Sequence, residues 1–140
     1  MDQERILSKF DQLEGYLEEL ENIKPTSLKN YKSSIDKKRA CERLIQISIE
    51  TILDVCNILV SELRLGLPSD EEDIFGKMEH NNIISGEMKN KLVNMKGLRN
   101  MLVHRYGEVD DELVYENLSE NLGDFDQFKE EILKYLKKKS

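Results

Sequence analysis

Between Leu44 and Leu63 apolar side chains recur at helical spacing over a wide front. Ile45, Ile49, Ile52, Cys56, Leu59 and Leu63 form one stripe, and Leu44, Leu53, Val55 and Val60 widen it. One neighbour cannot cover an arc that broad, so this helix must be buried against more than one partner. Gln46, Glu50, Asp54 and Asn57 mark its polar side. The spacing predicts one long helix from about Thr26 to Leu65, closed by Gly66-Leu67-Pro68. The stretch before Ala40 is more polar and reads as either a separate piece or a bend.

The flanking segments are also helical in pattern. Ile6, Phe10, Leu13, Leu17 and Leu20 predict a helix over about residues 2–23, ended by Lys24-Pro25 because a residue before proline avoids the helical region. Ser69-Asp70-Glu71-Glu72 reads as a capping box, with Ser69 as cap and Glu72 returning the bond, ahead of a short helix to about His80. Asn81-Asn82 is a break, and Ser85 caps a helix running to about Tyr106, with Glu87 in its first turn and Gly107 as terminator. Asp110 or Asp111 caps the next helix, to about Leu122; Gly123-Asp124 interrupts, and a last helix covers about 125–138. No alternating run predicts a strand. The expected fold is all-α, an antiparallel bundle of four to five helices in one domain over residues 1–140.

Charge narrows the function classes. With 28 acidic against 21 basic residues the net charge is −7, which disfavours a generic nucleic-acid scaffold. Any RNA contact must rest on a local basic field. Lys137-Lys138-Lys139 reads as favourable charge at a helix C-terminus or, alternatively, as a nucleic-acid tail. The first ten residues hold no apolar signal region, and no run is expected to span a membrane, so a cytoplasmic protein is expected. Cys41 and Cys56 lie about 22 Å apart along one predicted helix, too far to bond to each other. Neither has ligand spacing with His80 or His104, so no metal and no cofactor are expected. His80 reads as an exposed residue beside the break.

Concentrated chemistry occurs once, in Arg99-Asn100-Met101-Leu102-Val103-His104-Arg105-Tyr106. Taking Met88 as zero and advancing 100° per residue, Leu92, Met95, Arg99, Leu102 and Tyr106 fall within about 40° of it. An arginine in a core stripe is costly unless paired or used. It is either a structural ion pair across the bundle, with Glu50 or Asp54 as candidate acids, or a functional cation. His104 falls roughly 160° round, on the side of Val93, Gly97 and Asn100, as either an interface histidine or a proton carrier. Gly97 would let another backbone approach that side. Arg99 and His104 thus point about 140° apart. They converge only through long side chains, a distorted last turn or a groove shared by two subunits; the broad arc of the long helix favours the last.

Arg99-x-x-x-x-His104-x-Tyr106 at the end of a bundle helix resembles the HEPN superfamily, and more narrowly the HepT family of toxin ribonucleases. The string Lys96-Gly97-Leu98-Arg99-Asn100-Met101-Leu102-Val103-His104-Arg105-Tyr106 carries the likeness, together with Glu42-Arg43-Leu44-Ile45-Gln46 and the segment from Asp111 to Leu118. It extends from about residue 36 to the end. The resemblance implies a HEPN-like homodimer with the motif at a cleft between subunits. It implies metal-independent cleavage of RNA, with Arg99 and His104 as the catalytic pair and Asn100 in support. It implies that Tyr106 receives AMP from an MntA-like nucleotidyltransferase antitoxin, which silences the toxin. Arg105, Lys96 and Lys91 are the candidates for the local basic field. The alternative is a non-catalytic helical subunit that only binds such a nucleotidyltransferase.

Overall fold

The computed structural model describes residues 2–104 and 108–139. Among them are seven helices and no strand: α1 (Gln3–Ile23), α2 (Leu28–Ser33), α3 (Ile35–Glu62), α4 (Glu71–His80), α5 (Gly86–His104), α6 (Asp111–Glu120) and α7 (Gly123–Lys139). The four long helices α1, α3, α5 and α7 form the bundle; α4 lies alongside α3 and α5, and α2 packs against α3 and α6.

Cross-helix polar contacts fix the directions. The Asp2 amide donates to Glu62 at 2.9 Å and Lys9 pairs with Asp54 at 3.1 Å, so α1 and α3 run antiparallel. The Ser85 amide donates to Glu131 at 2.7 Å and Lys91 pairs with Asp124 at 3.1 Å, so α5 and α7 are antiparallel as well. Lys129 pairs with Glu14, and Phe10 meets Phe128 edge-on with ring centroids 6.1 Å apart, tying α7 to α1. The all-α antiparallel bundle expected from periodicity is the observed fold.

α3 lies at the centre. Ile45, Ile49, Ile52, Cys56 and Leu59 are all buried, with Leu53, Val55, Ile58 and Val60 beside them. Each such side chain removed from water contributes about 1.5–3 kcal/mol. Ser48 and Thr51 are buried in the same surface, and both hydroxyls donate back along the helix, to Leu44 O and Ile47 O at 2.7 Å. That satisfies them without a partner from another helix.

Contrary to the expectation that no run would do so, α3 is long and apolar enough to cross a membrane. It contains an 18-residue window of mean hydropathy 1.6. Other helices bury 61% of that window, as befits the central helix of a bundle.

The break expected at Gly123-Asp124 falls instead at Asn121-Leu122, so Gly123 already starts α7. Two further boundaries differ from expectation, each for a capping reason. The helix expected from Thr26 to Leu65 is two helices. Ser27 caps α2 by accepting from Asn30 N at 3.1 Å, and Ser34, in an extended conformation, caps α3 by accepting from Lys37 N at 3.3 Å. The polar stretch before Ala40 therefore contains a true break. The second shift concerns α4. Asp70, not Ser69, is its cap, accepting from Asp73 N at 2.8 Å, while the Asp73 carboxylate accepts from Ser69 N at 2.9 Å. Aspartate caps as well as serine, so the box slides one residue along. Glu71 and Glu72 then occupy the first turn of α4 and are free to face α5. Asp110 caps α6, and the Ser85 hydroxyl accepts from Met88 N at 3.1 Å at the start of α5, both as expected. The expected terminator Gly107 lies outside the described residues.

Candidate active site

α5 carries the motif. Its buried residues are Met88, Leu92, Met95, Leu98 and Met101. The core stripe thus slips by one residue after Met95, onto Leu98 and Met101, and Leu102 is only half-buried. Arg99 therefore sits at the edge of the stripe rather than in its middle, with 19% of its side chain exposed.

Two of the three nitrogens of the Arg99 guanidinium are held. Nη2 donates to Glu71 Oε1 on α4 at 2.5 Å, and Nε donates to the side-chain oxygen of Asn100 at 2.9 Å. Neither Glu50 nor Asp54 is the acid that meets Arg99. Glu50 accepts from Gln46 at 3.3 Å and Asp54 faces Lys9, because both lie on the α1 side of α3 or along its own polar edge. Sequence reading missed Glu71: it is 28 positions from Arg99 and meets it only because α4 and α5 run antiparallel.

His104 is exposed, in the last turn of α5. With Asn100, Gly97, Met101 and Leu113 of α6 it lines a groove of about 380 Å³. A methyl group on Gly97 would meet nothing within 4 Å, so no described element covers that face. α5 is regular to His104, so the angular gap between Arg99 and His104 is not closed by a distorted turn. Asn100 spans it instead, standing in the groove with His104 while gripping Arg99. A hollow of about 390 Å³ at the end of α3, around Val60, Arg64 and Leu67, contains none of the motif residues. Size does not single out the motif groove; its chemistry does.

The expected basic field is largely paired. Lys96 meets Glu72 at 2.9 Å, and Lys91 meets Asp124 at 3.1 Å and Glu87 at 3.2 Å. The bond to Asp124 holds the Lys91 ammonium above the usual lysine range. Arg105 and Tyr106 lie outside the described residues. His80 is exposed at the end of α4, away from any cluster of metal-ligating side chains among the described residues. Cys41 and Cys56 are both free and buried, and burial pushes both thiols up.

The helical bundle is a frame that known proteins share. The family model Ribonuclease HepT-like matches residues 13–132. The chain belongs to the Ribonuclease HepT-like family. Among curated HepT proteins, it is 27% identical to the tRNA nuclease HepT of Aphanizomenon flos-aquae over 131 residues, covering 94% of this chain and 89% of that one. It is 33% identical to the mRNA nuclease HepT of Shewanella oneidensis over 84 residues, covering 60% of this chain and 63% of the relative. The bundle superposes with a TM-score of 0.84 on the tri-AMPylated Shewanella oneidensis HEPN toxin solved in complex with an MNT antitoxin. That match is 25% identical and covers 92% of this chain and 96% of the other.

Proposed function

We propose that this HepT-like chain is the toxin of a toxin–antitoxin pair, an endoribonuclease that cuts RNA without a metal ion. The observation that carries this reading is the link from Arg99 through Asn100 to the groove holding His104. Membership of the HepT-like family and the nuclease activity named for its relatives support it.

RNA carries its own nucleophile. The 2′-OH gives up its proton, the 2′-oxygen attacks the adjacent phosphorus, and the bond to the 5′-oxygen breaks. The 5′-oxygen takes a proton, leaving a 2′,3′-cyclic phosphate and a 5′-OH. His104 is exposed in the groove and carries protons between these oxygens. Arg99 remains cationic and forks onto the phosphate oxygens as charge builds on them. Asn100 orients the guanidinium. Each chain supplies one motif histidine, so separate acid and base come from two chains or from a water. The uncovered groove face at Gly97 suits a homodimer in which two motifs meet.

In this reading Tyr106 is the off-switch. Its phenolic oxygen loses its proton to solvent and attacks the α-phosphorus of ATP on an MntA-like nucleotidyltransferase antitoxin, and pyrophosphate leaves. The attached AMP places bulk and negative charge two residues from His104, where substrate phosphate must sit. The chain acts in this reading as a single domain in the cytoplasm.

The ion pair between Arg99 and Glu71 favours one other reading, a non-catalytic subunit of the nucleotidyltransferase, because it already satisfies the arginine. A growth assay separates the two. Toxicity of the wild type that disappears in Arg99→Ala supports the nuclease; a harmless wild type that still binds the transferase supports the subunit.

A further inference from the structure

We propose that Glu71 is a positioning residue for catalysis, holding the Arg99 guanidinium in the orientation that receives the scissile phosphate; this rests on the nuclease reading above. Arg99 has five N–H groups in a planar fork. The bonds to Glu71 and Asn100 use one on Nη2 and the one on Nε, at 2.5 and 2.9 Å. Two anchors on separate nitrogens, Nε and Nη2, fix both its position and its rotation, and they leave Nη1 uncommitted among the described residues.

The anchor itself is rigid. Glu71 is the first residue of α4, directly after the Asp70 cap. Asp73 bonds back to Ser69 N at 2.9 Å, closing the first turn beneath it. The Glu71 side chain is 33% exposed, so solvent and substrate reach the pair it forms with Arg99.

Removing the Glu71 carboxylate has opposite consequences for binding and for rate. A negative charge leaves the neighbourhood of incoming phosphate, so RNA affinity holds or rises. The guanidinium, now held only through Nε, samples other rotamers, so fewer bound complexes are aligned for reaction. Gln keeps an oxygen that accepts from Nη2 and so keeps most of the alignment.

The test compares wild type, Glu71→Ala, Glu71→Gln and Glu72→Ala in chelator. Titration with a 2′-O-methyl RNA, which binds but lacks the nucleophile, counts the binding-competent molecules. Cleavage of the unmodified RNA gives kcat for each such molecule. In Glu71→Ala this kcat falls by about tenfold or more with RNA affinity equal or tighter, whereas Glu71→Gln stays within about threefold and Glu72→Ala within about twofold of wild type. A Glu71→Ala enzyme that cleaves at the wild-type rate per competent molecule overturns the role of Glu71 and leaves the nuclease reading standing. So does a loss shared equally by Glu72→Ala, which would mark a general defect of α4. A wild type that binds but does not cleave overturns the nuclease reading, and the positioning role falls with it.

Discussion

Asn100 accepts a hydrogen bond from Arg99 Nε at 2.9 Å while lining the same groove as His104. Consecutive residues on a helix point about 100° apart, so this bond joins two faces that helical geometry separates. It accounts for the uncharged amide beside the arginine. Asn100→Ala should lower the cleavage rate by roughly 10- to 100-fold, because a loosened guanidinium misses the phosphate. Single-turnover kinetics at saturating RNA measure the effect; a rate within twofold of wild type would remove Asn100 from the site.

His104 is exposed, and no hydrogen bond or ion pair among the described residues holds it. His104→Ala should therefore change unfolding free energy by no more than about 0.5 kcal/mol while abolishing cleavage. Urea denaturation beside the activity assay separates the two effects. A large loss of stability would mean that the histidine is structural.

Phe128 is fully buried against Phe10, and this contact docks α7 on α1. Phe128→Ala leaves a ring-sized cavity and should cost about 3–5 kcal/mol. Asp70 contributes through one capping bond at 2.8 Å, and Asp70→Ala should cost about 1 kcal/mol. Both values are accessible by urea titration, and the ordering of the two is the sharper test.

Cys41 and Cys56 are buried, and burial holds both thiols in the neutral, unreactive form. A thiol-reactive dye should leave the native protein unlabelled and label both cysteines in denaturant. Rapid labelling of Cys56 in the native state would show that α3 is less enclosed than its packing indicates.

Periodicity made the bundle legible. The apolar arc from Leu44 to Leu63 places α3 at the centre because helical spacing and burial report the same side of the helix. The break at Ser34 was only half visible, since Ser27 and Ser34 both have capping side chains inside a stretch whose polarity suits either a bend or a break. The cap of α4 moved by one residue because Ser69 and Asp70 are adjacent and equally able to cap. That one step leaves Glu72 free to meet Lys96. Arg99, Asn100 and His104 could be picked out from their spacing on one helix. The acid that meets Arg99 could not, as an antiparallel pairing of α4 and α5 sets that contact and no local pattern records it. The slip of the core stripe onto Leu98 and Met101 has the same origin: the neighbours of α5, rather than an ideal angle, decide which residues are covered.

Cleavage of RNA by the purified, unmodified protein in chelator, compared with Arg99→Ala and His104→Ala, tests the central claim most directly. The expected result is cleavage by the wild type to 2′,3′-cyclic phosphate ends, with both variants silent. Cleavage that persists in His104→Ala, or that appears only when magnesium is supplied, would contradict it.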